Sequence, residues 1–208
     1  DKTAVLSGGA GVNWDEYGAW TAERGYIGLE WLSGVPGTVG GAVVANVGAY
    51  GAQCAETLVS ARVLDRMDEK NTVRVFKKEE CDFSYHDSVF SHAPGRYLVL
   101  EATFVLPTHG TSRLSYRDNR FDLESLARTL GHEPTLGEVR TAVLQMRGAK
   151  GVLASSYKSA GSFFHMPFVS GDEYTHLQKK AQALDAAKEE LLRPWAWKKA
   201  DGTYKVAA

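Results

Sequence analysis

The sequence predicts an α+β fold in two parts. Three observations carry this reading: a strand-rich first half interrupted by an uncharged Gly-rich run, a change of character after Pro107, and two well-capped helices beyond it. Strands grouped in one part and helices in another favour α+β over an alternating α/β architecture. Thr3–Leu6 reads as a short strand entering the turn Gly8-Gly9-Ala10-Gly11. Asn13 is placed to N-cap a helix bearing Trp14, Tyr17 and Trp20, with Asp15 and Glu16 in its first turn and Gly25 at its end. Leu58–Leu64 reads as a strand in which Val59, Ala61 and Val63 alternate with Ser60 and Arg62. Thr72–Phe76 reads as its neighbour across the polar turn Asp68–Asn71, and Tyr97–Leu106 as a third, β-branched and aromatic strand. A polar loop over Thr108–Ser115 marks the boundary, giving parts 1–107 and 108–208. Thr135 and Glu138 form a capping-box pair opening a helix to about Arg147, with Leu136, Val139, Val143 and Met146 on one face. Ser170 and Glu173 repeat the signature for a helix through about Leu191, its face Tyr174, Leu177, Ala181 and Leu184, stopped by Pro194.

Composition narrows the function classes. The 208 residues carry a formal charge of −1, so no nucleic-acid or other polyanionic partner is expected. The two cysteines, Cys54 and Cys81, have no metal-ligand spacing, no HExxH pair occurs, and no metal site is expected. Two cysteines make no disulfide scaffold, so a reducing cytoplasm is the easiest reading, and no signal peptide or apolar run long enough to span a bilayer is seen, so no membrane contact is expected. The chain starts without Met and ends without a terminating Gly or Pro, so both ends read as cut.

Three segments carry chemistry. The first, Gly34–Gly51, reads GVPGTVGGAVVANVGAYG. Pro36-Gly37 is a turn, and the small apolar stretch Thr38–Val47 reads as buried. A helix starting near Thr38 would aim free backbone N–H groups toward that turn, a favourable end for a phosphate, whereas a tightly packed core turn is the plainer alternative. The pattern is not GxGxxG, so a Rossmann site is not indicated. The second, Tyr85-His86-Asp87-Ser88-Val89-Phe90, could position a carboxylate or phosphate, or its Asp and Ser could simply hydrogen-bond a turn. The third, Ser159-Ala160-Gly161-Ser162-Phe163-Phe164-His165-Met166-Pro167, sets a hydroxyl between a flexible glycine and an aromatic pair; Ser162 could deliver a proton to a carbon centre or bond to backbone.

These segments, in this order, resemble the UDP-N-acetylenolpyruvoylglucosamine reductases, also called UDP-N-acetylmuramate dehydrogenases. The resemblance rests on GLEWLSGVPGTVGGAVVANVGAYG from Gly28, SYHDSVF from Ser84 and AGSFFHMP from Ala160, with GAGVNWDEY from Gly9 and DGTYKVAA from Asp201. It implies the second subdomain of a vanillyl-alcohol-oxidase/PCMH-type FAD-binding domain over 1–107, followed by most of an α+β substrate-binding domain over 108–208. The first flavin subdomain and the C-terminal end of the family pattern have no counterpart. The implied activity is FAD-dependent, NADPH-driven reduction of UDP-N-acetylglucosamine enolpyruvate in peptidoglycan precursor synthesis, by a protein expected to be monomeric. In that family NADPH reduces FAD, flavin N5 gives hydride to C3 of the enolpyruvyl ether, and a serine protonates C2.

The resemblance places Ser162 at the proton donor. His86 stands at the position of an arginine that stabilises the enolic carboxylate; imidazole offers one contact where guanidinium offers a fork. Flavin contacts are implied for Val35, Pro36, Gly37, Thr38, Gly40, Gly41, Ala42, Asn46, Gly48 and Tyr50. Substrate contacts are implied for Tyr85, Tyr116, Lys150, Trp197 and Lys205, with Lys150 and Lys205 matching lysines near the diphosphate and the uridine side. Arg117 and Met166 replace a common glycine and asparagine, and Trp197 a usual tyrosine. Two other readings stay open: a catalytically impaired or non-catalytic UDP-sugar-binding fragment, and another FAD-linked oxidoreductase of the same fold.

Overall fold

A computed structural model describes residues 2–112, 117–118, 121–153, 158, 166–184 and 196–206, without the side chains of 117, 118, 121–123 and 197. The expected α+β class is the one adopted. The chain forms two compact units, residues 1–159 and 160–208.

The first unit is built on a four-stranded antiparallel sheet. Its strands are β1 (Thr3–Gly9), β4 (Leu58–Asp65), β5 (Val73–Lys77) and β6 (Tyr97–Pro107), in the order β1-β6-β4-β5. Two short strands, β2 (Gly48–Ala49) and β3 (Ala52–Gln53), make a separate hairpin. The inner sheet face carries Leu58, Ala61, Val63, Phe76, Val99, Ala102, Phe104 and Leu106, all buried. Helices α1 (Trp14–Glu23), α2 (Val39–Val44) and α5 (Leu136–Ala149) supply Trp14, Tyr17, Val39, Val43, Val139, Val143 and Met146 to the same core. Burying each large apolar side chain contributes on the order of 1.5–3 kcal/mol, so this core fixes the positions of the loops above it.

Local signals explain the elements. Asn13 caps α1, its Oδ1 accepting from the amides of Asp15 and Glu16 at 2.9 and 3.1 Å. Of the expected α1 face, Trp14 and Tyr17 are buried, whereas Trp20 is half open and Thr21 takes the inner position. Along β4 the expected alternation breaks: Leu58 is buried and Val59 exposed. A bulge causes this, since Leu58 pairs with Phe104 and Ser60 with the next residue, Thr103. A second irregularity, at Leu100 of β6, accompanies the hydrogen bond from the Ala10 amide to the Leu100 carbonyl at 2.9 Å.

The Thr135–Glu138 capping box forms as expected, with Val139, Ala142, Val143 and Met146 buried and Leu136 partly so. Helix α3 (Val89–His92) precedes β6, and between β6 and α5 lie a small hairpin, β7 (Arg117–Asp118) and β8 (Phe121–Asp122), and α4 (Leu123–Leu130). In the second unit, β9 (Phe168–Val169), β10 (Ala196–Lys198) and β11 (Tyr204–Val206) form an antiparallel sheet in the order β10-β11-β9. Helix α6 (Gly171–Leu184) starts with the Ser170–Glu173 pair. Its Tyr174 is buried and stacks on Tyr204, but Leu184, expected on the inner face, is exposed. The expected continuation to Leu191 and stop at Pro194 lie outside the described residues.

Candidate functional site

The Gly34–Gly51 run folds as a turn, a short helix and a hairpin. Gly34 and Gly37 take φ of +71° and +119° around Pro36. Helix α2 follows, capped by Thr38, whose Oγ1 accepts from the Gly41 amide at 3.3 Å. The N–H groups here are not free, contrary to the sequence expectation. Val39 donates to the Val12 carbonyl at 2.9 Å, Gly40 to the Ala10 carbonyl at 3.0 Å, and Ala42 to the Thr38 carbonyl at 2.8 Å. The loop between β1 and α1 has taken the donors on which a phosphate reading depends. The buried expectation for Thr38–Val47 also needs correction: Val39, Gly40, Ala42, Val43 and Asn46 are buried, but Thr38, Gly41 and Ala45 are exposed.

What remains open is surface. Pro36, Gly37, Thr38 and Gly41 are exposed. A Cβ added at Gly37 would meet nothing within 4 Å, and one at Gly41 only the Thr38 hydroxyl at 3.6 Å. This is bare backbone that a flat group can approach. Gly40 is different: a Cβ there would lie 2.8 Å from the Ala10 Cβ, so this glycine serves the packing of α2 on the β1–α1 turn.

Asn46 joins the first and second segments. It is buried at φ +38°, its Nδ2 donating to the Ser84 carbonyl at 2.6 Å and to Gln53 Oε1 at 3.0 Å, its Oδ1 accepting from the Ala55 amide at 3.0 Å. Its side chain is thereby committed to the protein itself. Ser88 makes a second tie, its hydroxyl donating to the Val44 carbonyl at 2.6 Å while accepting from the Phe90 amide at 3.2 Å. Ser84 and Asp87 exchange backbone hydrogen bonds at 3.1 and 3.3 Å, so Tyr85 and His86 occupy the tip of a tight turn. Asp87 and Ser88 serve the turn and the start of α3, which is the plainer of the two readings for them. Ser91 donates to Asp87, and His92 Nε2 lies 2.5 Å from its other oxygen; the Ser91 bond leads in holding the Asp87 carboxyl below its ordinary range.

Several expected site residues meet in this unit. The rings of Tyr85 and His86 sit 4.4 Å apart, edge to face. The His86 ring borders Gly48, where an added Cβ would come within 3.6 Å of its Cε1. Tyr50 and Gly51 form the two-residue turn of the β2–β3 hairpin, both at positive φ, and the Lys150 Nζ lies 4.9 Å from the centre of the Tyr50 ring. Asn46, Tyr50 and His86 are three non-glycine residues held in the left-handed region, at φ of +38°, +52° and +53°. Such conformations cost on the order of 1–3 kcal/mol each and gather at functional sites. Sequence inspection gives no sign of this strain, because it depends on the surrounding fold.

In the second unit, Trp197 and Lys205 are direct partners on β10 and β11. Ser162 and Tyr116 lie outside the described residues. Sequence reading missed two carboxylate nodes in the first unit. Glu30 is buried, accepting from the Gly28 amide at 2.6 Å and the Ser112 hydroxyl at 2.7 Å. Asp15 accepts from the Gly34 amide at 2.6 Å and from both Arg140 Nη atoms at 2.6 and 2.8 Å. A cavity of about 370 Å³ beside α1, lined by Leu6, Ser7, Val12, Glu16, Tyr17 and Trp20, contains none of the expected site residues. Among the described residues no helix is long and apolar enough to cross a membrane, and no group of three or more His, Cys, Asp or Glu is gathered to hold a metal.

The family model of an FAD-binding domain matches residues 1–71, which include the whole Gly34–Gly51 run. Curated sequences named UDP-N-acetylenolpyruvoylglucosamine reductase match far more of the chain. That from Cutibacterium acnes is 39% identical over 178 residues, covering 82% of this chain and 45% of the relative. That from Pseudomonas aeruginosa is 34% identical over 208 residues, covering 99% and 56%. The chain is a relative of the UDP-N-acetylenolpyruvoylglucosamine reductases. It spans about half the length of the curated reductases it matches. A crystal structure of the reductase from Thermus caldophilus shares the fold, with a TM-score of 0.53, 22% identity, and coverage of 97% of this chain and 61% of that one. The FAD-domain match includes the Gly-rich run and ends before the Tyr85–His86 turn and Lys150.

Proposed function

We propose that this chain contributes the second flavin subdomain and much of the substrate-binding domain of an FAD-dependent, NADPH-driven enzyme. That enzyme reduces UDP-N-acetylglucosamine enolpyruvate to UDP-N-acetylmuramate, in the cytoplasm, with the division between the two parts after Pro107. The observation that carries the reading is the tie between the Gly-rich run and the Tyr85–His86 turn through Asn46 and Ser88, in a chain similar to reductases of that name.

The residues fit the cofactor: exposed backbone at Pro36, Gly37, Thr38 and Gly41 leaves room for a flat ring system, and Tyr50 adds an aromatic border. FAD, when bound, would carry a hydride equivalent from NADPH to the substrate. The chain's own part is positioning and proton delivery. Val35 to Ala42 and Asn46 to Tyr50 would form one wall of the flavin site, Asn46 by fixing Gly48–Tyr50 rather than by direct contact. Lys150, beside Tyr50, would meet the diphosphate, with Tyr85, Tyr116, Trp197 and Lys205 as further substrate contacts. His86, at its turn tip, would face the substrate carboxylate with a single N–H in place of a guanidinium fork. Ser162 would protonate C2; a serine hydroxyl has little acidity of its own, so its placement has to supply most of the effect.

Ser162→Ala tests the assignment in the full-length enzyme. Product formation is expected to cease while NADPH still bleaches the flavin; loss of both half-reactions would overturn Ser162 as the proton donor. His86→Arg is expected to raise turnover, and a fall would show that the histidine has a role of its own. The impaired-module reading is favoured by His86, and predicts UDP-sugar binding in calorimetry without any flavin reduction.

A further inference from the structure

We propose that Asp15 and Arg140 are a positioning pair that sets Lys150 against Tyr50. Only the affinity arm of the test below rests on the reading of Lys150 as a diphosphate contact.

The Asp15 carboxylate is a node. Its Oδ1 takes the Gly34 amide and one Arg140 nitrogen, both at 2.6 Å, and its Oδ2 takes the other at 2.8 Å. The Arg140 side chain is 17% exposed. A two-point guanidinium–carboxylate pair fixes orientation as well as distance. The same stretch of backbone presses on α5 further along: a Cβ at Gly34 would lie 2.8 Å from Leu144 Cδ2 and 3.0 Å from Arg147 Cδ. Helix α5 is therefore held at its first half by Asp15 and at its second by the Gly34 turn.

Val139, Val143 and Met146 already bury the helix against the core. Apolar contacts hold a helix on a surface but discriminate poorly between small rotations about its axis, because they are non-directional. The fork is directional. From Arg140 the helix runs about 15 Å to its C-cap at Lys150. A roll of about 20° at a side-chain radius of roughly 5–6 Å moves the lysine by about 2 Å. Lys150 Nζ is now 4.9 Å from the Tyr50 ring centre. A displacement of that size directed away from the ring takes it past the ~6 Å reach of a cation–π contact, and one across the ring moves it off the face centre. The Gly34 turn, which leads into the proposed flavin wall at Val35, and Lys150 thus share one anchor.

The test uses the purified protein with its lysines converted to ¹³C-dimethyl-lysine, the Lys150 signal being assigned by Lys150→Arg. Ring current from Tyr50 is expected to shift that signal upfield, and Tyr50→Leu to abolish the shift. Asp15→Asn and the milder Arg140→Lys are each expected to shrink it, with the far-ultraviolet circular dichroism unchanged. A Lys150 signal that stays in place in folded Arg140→Lys and Asp15→Asn overturns the proposal. UDP affinity should fall about tenfold in the same variants, the loss of one charge-assisted hydrogen bond. If the NMR shift collapses while UDP affinity holds, the positioning role stands and Lys150 is not a diphosphate ligand.

Discussion

The adjacent glycines Gly40 and Gly41 should respond to alanine with opposite signs. In Gly40→Ala the new methyl would sit 2.8 Å from the Ala10 Cβ and 3.3 Å from its carbonyl oxygen. Neither obstacle is a flexible side-chain end, so α2 must move off the β1–α1 turn. That movement weakens the Gly40 and Val39 amide bonds to Ala10 and Val12. Overpacking of this kind costs about 1–3 kcal/mol, and two strained hydrogen bonds add about 1 kcal/mol. Helix propensity returns about 1 kcal/mol, leaving a net loss of roughly 1–3 kcal/mol. In Gly41→Ala the methyl meets only the Thr38 hydroxyl at 3.6 Å, and the position is exposed. Propensity alone then acts, giving a gain of about 0.5–1 kcal/mol. Urea unfolding followed by Trp fluorescence measures both; in a chain this size the Tm values should move by about 2–4 °C per kcal/mol. FAD titration of the full-length protein adds the functional half: Gly41→Ala should weaken flavin binding without loss of stability. Equal destabilisation by both alanines would refute the division of one glycine to packing and the next to ligand.

Three further outcomes are expected. Arg96 hydrogen-bonds Asp65 at two points, chiefly lowering its carboxyl, and Asp15 is lowered too because Arg140, Gly34 and Arg147 outweigh the upward push of burial. With folded-state values depressed, their stabilisation is complete above the unfolded carboxylate range near pH 4 and is lost as pH falls through the folded values; the urea midpoint should drop there, and less steeply in Asp65→Asn. Burial raises both thiols, Cys81 to about 12, so a thiol-specific disulfide reagent should leave Cys54 and Cys81 untouched until the chain unfolds, and fast labelling of native protein would contradict their burial. His86→Gly, which relieves a left-handed backbone at φ +53°, should keep or raise stability by up to about 1 kcal/mol while removing the group proposed to meet the substrate carboxylate; a loss above that would mark His86 as structural.

Elements backed by short-range chemistry were legible in the sequence. The caps at Asn13, Thr135 and Ser170 act within three or four residues, and each starts a helix where expected. The alternation along β4 was not legible, because the bulge that exposes Val59 is set by the register against Phe104 and Thr103, more than forty residues away. Leu184 failed for a related reason: helical spacing marks a face but cannot say how far along it a partner extends.

The site divides along the same line. Residue types in the Gly-rich run and in Tyr85–His86 were visible, but what each does depends on pairings across long separations. The α2 amides would be free donors in an isolated turn-helix segment; Ala10 and Val12, far earlier in the chain, take them. Asn46, read as a cofactor contact, spends both amide protons on Ser84 and Gln53. That commitment explains how the neighbouring residues can be strained at all. A left-handed Tyr50 or His86 would relax if its flanks were loose, and Asn46 holds both: it bonds the carbonyl of Ser84, which closes the His86 turn, and the side chain of Gln53, on the strand that closes the Tyr50 turn. Asn46→Ala should therefore do more than remove three hydrogen bonds. It should release both turns together, so that Tyr50 and His86 lose their fixed placement in one step.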